Sequence, residues 1–200
     1  YLIDRYDRRR DEKGKLSRIH QEDFCQALGY PYGRKYEADG GPGLKACFAL
    51  VDEHGTQPAL DKMAMLRWVI FNYLIGNCDA HAKNLSMLVS RENYRLSPHY
   101  DLLSTRVYGQ LSPKFAMRIG RQYRAEWVLK EHWERLAEEA GVGAKAVLGL
   151  CAEMGEAVPE LARPLAAAFA AEHGAKDIID KILKNISSSA KRMLAGSKVP

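Results

Sequence analysis

The chain has 200 residues, which is enough for one large or two small domains with a sizeable apolar core. Its 30 Lys and Arg residues against 25 Asp and Glu residues give a formal net charge of +5, which permits binding to phosphate or nucleic acid without establishing it. Because the start is charged and no apolar run is long enough, we expect no signal peptide and no membrane span, and four widely spaced cysteines favour reduced thiols in a cytoplasmic protein.

The first quarter of the chain predicts mixed secondary structure. Residues 1–6 begin apolar and β-prone, so we expect a strand there, and the basic run 8–10 is predicted to lie in a solvated loop. Apolar residues recur at helical spacing from Ser17 to Leu28, and Gly29 favours a helix end. The glycine-rich run 39–43 is predicted to be a turn that caps the next helix, because no Lys-Ser or Lys-Thr pair follows it as in a phosphate-binding loop.

Two helices are predicted next. The first is short and runs from Leu44 to Val51, and the second begins at Gln57-Pro58 and runs to about Ile75. The second helix is apolar on most sides, which is typical of a helix that is buried on most sides. Gly76 ends it, so we expect it to support the loop that follows from behind.

That loop carries the strongest chemical signal in the sequence. Asp79 and Asn84 lie five positions apart, and Asp101 follows after two β-prone runs, 85–89 and 94–97, that predict a hairpin. Phosphoryl transfer from ATP needs a carboxylate to accept a proton, and an amide and a second carboxylate to hold Mg²⁺. The three residues fit this order, and the hairpin would bring Asp101 beside Asn84. A helix-capping Asp79 with an incidental Asn84 is the alternative, and the spacing alone does not separate the two.

Four ordered segments closely resemble HipA-type toxin kinases. They are Asp4–Arg8, Ile19–Gly29 continuing to Lys35–Gly43, Gly76–Ser86 and Arg95–Ser104. The resemblance is close over about the first 105 residues, and the remainder is similar only in being helical. It implies a serine/threonine kinase with a divergent protein-kinase-like fold, usually paired with a DNA-binding antitoxin.

The resemblance also implies roles for individual residues. It makes Asp79 the catalytic base, with Asn84 and Asp101 as the ligands of Mg²⁺. Contacts with ATP are implied for Asp4, Arg5, Tyr6, His81, Ala82, Lys83, Asn84, Tyr100 and Asp101. The residues taken alone favour a packing role for His81 and leave Lys83 open between a phosphate contact and an ordinary surface lysine. For residues 4–7 they favour an edge strand that leads to a salt-bridged turn.

After Asp101 the sequence is irregular and then helical. The segment Thr105–Gln122 is expected to border the substrate groove and to contain a short strand. In that strand, polar residues would alternate with Phe115, Met117 and Ile119. Helices are predicted over 125–140, 144–158, 161–172 and 175–194. The last carries a ring of basic residues that could meet DNA, although a solvated face is the more usual role of such a ring.

We therefore predict one mainly α domain over residues 1–200. Its fold would be a divergent protein-kinase-like C-terminal lobe with a small β-hairpin after the catalytic loop. No G-x-G-x-x-G and no P-loop motif occur, so the chain is expected to be a fragment that lacks the N-terminal lobe and is inactive alone. In the whole protein the predicted function is that of an ATP-dependent serine/threonine protein kinase of a toxin–antitoxin system.

The expected partners are a protein substrate and a DNA-binding antitoxin, with indirect contact to DNA and none to a membrane. By analogy alone, the substrate would be a translation factor such as an aminoacyl-tRNA synthetase. The alternative function is that of a catalytically incompetent lobe that binds protein or DNA. A third possibility is a small helical regulator unrelated to nucleotides.

Overall fold

The computed structural model describes residues 5–91 and 93–197, which are mainly helical with three small sheets. The helices are α1 (Phe24–Ala27), α2 (Leu44–His54), α3 (Pro58–Ile75), α4 (Lys130–Ala140), α5 (Ala144–His173) and α6 (Lys176–Ser197). The strands are β1 (Arg8–Arg10), β2 (Leu16–Arg18), β3 (His20–Asp23), β4 (Ser86–Val89), β5 (Tyr94–Leu96), β6 (Lys114–Ile119) and β7 (Gln122–Arg124). The mainly α class predicted from the sequence is confirmed.

All strand pairing among the described residues is antiparallel. The sheets are β1-β2, β3-β4-β5 and β6-β7. The hairpin predicted after the catalytic loop is confirmed as β4-β5, with Met87 opposite Leu96 and Val89 opposite Tyr94. The predicted strand with alternating apolar residues is confirmed as β6.

Helix α3 lies at the centre of the core. Pro58 occupies its first turn, and Gly76 ends it in the left-handed conformation at φ 72°, as expected for these two residue types. Met65, Leu66 and Leu74 have no exposed surface. Helices α2, α5 and α6 pack against α3, so the predicted burial on most sides is confirmed.

The helix predicted from Ser17 to Leu28 is wrong over most of its length. Residues 16–18 form β2 and residues 20–23 form β3, and only Phe24–Ala27 are helical. The reason is tertiary, because β3 pairs with β4 along its whole length. The basic run 8–10 is likewise strand β1 rather than a loop, because it pairs with β2. Its arginines are largely exposed to solvent, as expected.

The start of the chain and its C-terminal half bring further corrections. Residues 1–4 of the expected first strand lie outside the described residues, and Tyr6 lies in a turn. The helix expected over 125–140 begins only at Lys130, after a 3-10 turn in which Trp127 is 58% exposed. The two helices expected on either side of Pro159 are the single helix α5. Helix α5 contains two interior prolines, Pro159 and Pro164. Because α5 packs along α6, tertiary contacts offset their local cost, which is about 3 kcal/mol for each.

Cys25, Cys47, Cys78 and Cys151 are all free and buried, as predicted for packed thiols. Within the part of the chain that the structure describes, no helix is both long and apolar enough to cross a membrane.

Candidate active site

The buried amide of Asn77 helps to hold the loop after α3. Its Nδ2 donates to Oδ1 of Asn72 at 2.9 Å and to the backbone carbonyl of Asp101 at 3.0 Å. Its Oδ1 accepts from the backbone N–H of Asp79 at 3.1 Å. Asn77 is 2% exposed. Its three hydrogen bonds connect the backbones of Asp79 and Asp101 to the end of α3. No role was predicted for Asn77, although it directly follows the helix-ending Gly76.

The side chains of Asn84 and Asp101 are hydrogen-bonded to each other, as expected from the predicted hairpin. Nδ2 of Asn84 donates to Oδ2 of Asp101 at 2.6 Å, and Oδ1 of Asn84 accepts from the backbone N–H of His81 at 3.0 Å. The amide is thus oriented by its own loop. Asp101 has φ 57°, a left-handed conformation that is uncommon for a residue with a side chain and that often occurs at functional sites.

Asp79 is held by Tyr36, which lies in the segment Lys35–Gly43 and for which no role was predicted. The hydroxyl of Tyr36 donates to Oδ1 of Asp79 at 2.7 Å across 43 positions of sequence. Burial, and next the bond to Asp79, raise the pKa of Tyr36, so the phenol stays protonated at neutral pH and acts as the donor. Tyr36 follows no recognisable spacing from Asp79, and only the fold brings the two together.

Tyr6 and Tyr100, both predicted to contact the nucleotide, lie side by side. Their ring centroids are 5.9 Å apart with the planes tilted by 31°. The Tyr100 hydroxyl donates to the backbone carbonyl of Lys83 at 2.6 Å and shares a hydrogen bond of 2.7 Å with the hydroxyl of Ser86. Tyr100 therefore links the loop after α3 to β4, and burial raises the pKa of Tyr100. Their contact with a nucleotide remains a prediction.

Residues 5–8 form a salt-bridged turn, which the residues taken alone favoured for this segment. Asp4 lies outside the described residues, and Arg5 donates to both carboxylate oxygens of Asp7 at 2.8 and 2.6 Å. Arg8 adds a third bond of 2.6 Å. These hydrogen bonds, that from Arg5 first, hold the pKa of Asp7 well below its usual range. The Arg5 side chain is engaged within the turn, so its nucleotide contact remains a prediction.

The remaining loop residues point in different directions. The Lys83 ammonium lies 3.6 Å from the centre of the Tyr32 ring, so in this arrangement it contacts that ring. His81 is buried and meets Tyr36 edge-on, and burial together with nearby Lys35 lowers the pKa of His81. Ala82 has no exposed surface. The packing role of His81 is in accord with this geometry, and the nucleotide contacts of all three loop residues remain predictions.

The donor types at Asn84 and Asp101 fit a magnesium ion. The described residues contain no cluster of three or more His, Cys, Asp and Glu side chains placed to bind a metal. The predicted ligands are instead an amide and a carboxylate, which suit Mg²⁺ because it prefers hard oxygen ligands and keeps several waters. Oδ1 of Asn84 accepts one hydrogen bond from His81, and an amide oxygen has a second lone pair for a cation.

Comparison with known proteins extends these observations. Residues 1–162 match the family model of the HipA-like C-terminal domain. A Sinorhizobium fredii (strain NGR234) protein provisionally named kinase Y4mE is 48% identical over 146 residues, which cover 73% of this chain and 35% of that protein. The serine/threonine-protein kinase toxin HipA of Shewanella oneidensis is 33% identical over 133 residues, which cover 60% of this chain and 30% of that protein.

A solved structure shares the fold. In the complex of Shewanella oneidensis HipA, HipB and operator DNA, one chain superposes with a TM-score of 0.80 and 24% identity, covering 96% of this chain and 48% of that one. The present chain thus spans about a third of the length of these curated relatives and about half of the solved chain. On the match over residues 1–162, the chain belongs to the HipA-like C-terminal domain family.

Proposed function

We propose that the chain is the C-terminal, protein-kinase-like lobe of an ATP-dependent serine/threonine protein kinase. The observation that carries the proposal is the hydrogen bond of 2.6 Å between Asn84 and Asp101. Asn77 links the same carboxylate-bearing residue to the backbone of Asp79. Asp79, Asn84 and Asp101, which carry oxygen-bearing side chains in the kinase order, are therefore linked by hydrogen bonds, Asp79 through its backbone N–H. The kinase names of the relatives support the same reading.

The proposed chemistry assigns each of these residues one task. Asp79 accepts the proton of a serine or threonine hydroxyl as that oxygen bonds to the γ-phosphorus of ATP and the bond to ADP breaks. Asn84 and Asp101 would hold Mg²⁺, which neutralises charge on the phosphates when bound. Asn77 and Tyr36 keep Asp79 in place, because positional catalysis depends on a fixed donor and acceptor geometry.

The proposed enzyme needs a second lobe. The sequence contains no Gly-rich phosphate loop of the kinase or P-loop type. We propose that a preceding lobe supplies this loop and a strand lysine, and that residues 1–200 form one C-terminal domain. The chain spans about a third of its curated relatives, which leaves room for such a lobe.

The proposed partners follow from the relatives. A DNA-binding antitoxin is proposed because the solved chain of the same fold is part of a complex with HipB and operator DNA. The substrate would be a protein. By analogy with other kinases of this type, it would be a translation factor such as an aminoacyl-tRNA synthetase. A cytoplasmic location is proposed from the four free cysteines.

The variant Asp79→Asn tests the proposal. In the two-lobe protein it should bind Mg·ATP as well as the parent does and lose phosphate transfer by about a thousandfold or more, because the proton acceptor is gone. Radiolabel transfer from γ-labelled ATP measures the rate, and Asp180→Asn on the exposed face of α6 is the control. Transfer by Asp79→Asn at the parent rate would refute the assignment of the base.

A second candidate is a lobe that binds partners without transferring phosphate. It is favoured by the Tyr36 hydroxyl, which occupies Oδ1 of Asp79 in this structure. The discriminating measurement compares phosphate transfer by this chain, by the two-lobe protein and by its Asp79→Asn variant. Partner binding by a two-lobe protein that shows no transfer above that variant would establish the second candidate.

A further inference from the structure

The C-terminal end of α3 is capped by the segment that follows Asp101. The Ser104 hydroxyl donates to the backbone carbonyl of Ile75 at 2.6 Å, and the backbone N–H of Arg106 donates to the carbonyl of Gly76 at 3.0 Å. The last carbonyls of a helix have no partner within the helix, so other groups must satisfy them. Here the partners come from the same segment that carries the proposed metal ligand.

Thr105 contacts the loop after α3 on both sides of Asn77. Its Oγ1 accepts from the backbone N–H of Cys78 at 2.7 Å and donates to the backbone carbonyl of Gly76 at 3.3 Å. A hydroxyl is both a donor and an acceptor, so one threonine can hold a carbonyl and an N–H that lie two residues apart. Because Cys78 directly precedes Asp79, these bonds hold the backbone one residue before the proposed base.

Two connections therefore join the loop to the segment that contains Asp101. Asn77 reaches from the loop to the backbone carbonyl of Asp101 at 3.0 Å, and Thr105 reaches from that segment back to the loop. A pair of connections limits rotation of the loop about either one of them. Such rotation matters for phosphate transfer, because a shift of about 1 Å in a catalytic group can lower the rate roughly a hundredfold.

We propose that Thr105 is a positioning residue for phosphate transfer. Its hydroxyl sets the placement of Asp79 relative to the proposed metal ligands Asn84 and Asp101, and it does so through the backbone of Cys78. This inference rests on the proposed function, because the placement it describes is that of the proposed base and metal site.

Two substitutions of Thr105 in the two-lobe protein test the inference. Thr105→Val removes the hydroxyl and nearly keeps the shape, so we expect kcat to fall by about five- to tenfold with KM for ATP changed less than about twofold. Thr105→Ser keeps the hydroxyl and should hold kcat within about twofold of the parent value. The matched control is Thr56→Val, which should leave kcat unchanged. Oγ1 of Thr56 also accepts from a backbone N–H at 2.7 Å, that of Tyr94, outside the loop.

Hydrogen–deuterium exchange of the same variants separates positioning from stability. In Thr105→Val without nucleotide, the Cys78 amide should exchange at least about tenfold faster, while the amides within α3 stay as protected as in the parent. An unchanged kcat, an equal loss in Thr105→Ser, or faster exchange throughout α3 would each overturn the inference. If the parent transfers no phosphate above the Asp79→Asn variant, the proposed function itself fails and the inference falls with it.

Discussion

The Tyr36 hydroxyl donates a hydrogen bond of 2.7 Å to Oδ1 of Asp79, joining two residues that lie 43 positions apart. The Tyr36 ring also meets the His81 ring edge-on, with centroids 5.5 Å apart. The carboxylate proposed to act as base is therefore held from outside its own loop, by the segment that precedes α2.

Replacing Tyr36 with Phe removes this hydroxyl and keeps the ring. We expect kcat of the two-lobe protein to fall by about three- to tenfold with KM for ATP unchanged, because a hydrogen bond to a charged group is worth up to about 3 kcal/mol and less where solvent competes. Steady-state kinetics check this, with Tyr108→Phe as the control at an exposed tyrosine. An unchanged kcat would show that Tyr36 does not position Asp79 for catalysis.

Removing the charge of Asp101 should uncouple nucleotide binding from magnesium. Asp101→Asn keeps the size of the side chain and replaces a carboxylate oxygen by an amide. In the two-lobe protein we expect ATP to bind at least about tenfold more weakly with Mg²⁺ present, and with unchanged affinity in EDTA. Titration calorimetry under both conditions measures the two values. Equal losses in both would mean that Asp101 supports the fold and not the metal.

The amide of Asn77 should matter for stability as well as position. Asn77→Ala removes its bonds to Asn72, to the carbonyl of Asp101 and to the N–H of Asp79, and leaves buried polar groups without these partners. We expect the free energy of unfolding to fall by about 2–4 kcal/mol. Urea unfolding of the chain measures it. Asn93→Ala, at an exposed turn residue, should change it by less than about 0.5 kcal/mol.

Gly76 is required both by its conformation and by its neighbour. Its φ is 72°, and a Cβ built there would lie 2.4 Å from Nδ2 of Asn185 on α6. Gly76→Ala should therefore lower the free energy of unfolding by more than the roughly 1–2 kcal/mol that a left-handed alanine costs.

Two comparisons check the reason for this loss in thermal or urea unfolding. Adding Asn185→Ala to Gly76→Ala should relieve the clash and recover part of the loss. Gly149→Ala lies in the exposed interior of α5 with nothing within 4 Å of the new Cβ, so it should stabilise the chain by about 0.5–1 kcal/mol. If Gly76→Ala lowers the free energy of unfolding by no more than the conformational cost of a left-handed alanine, the clash with Asn185 of α6 does not contribute to the loss.

The sequence by itself determined the elements whose signals are local. Pro58 and Gly76 mark the two ends of α3, and the apolar composition between them fixed its burial. The β-prone runs after the loop gave the β4-β5 hairpin and with it the approach of Asp101 to Asn84. In each case the residues that decide the structure lie within a few turns of one another, so the preference is already present in the isolated segment.

The tertiary structure decided what depends on distant partners. Residues 20–23 have apolar neighbours at helical spacing, yet they form β3 because the edge of β4 offers a complete set of backbone hydrogen bonds. Helix α5 continues through Pro159 because α6 packs along it. Tyr36 reaches Asp79 only once the intervening chain is folded. Such contacts derive their free energy from groups far away in sequence, and no local pattern of residues encodes where those groups will lie.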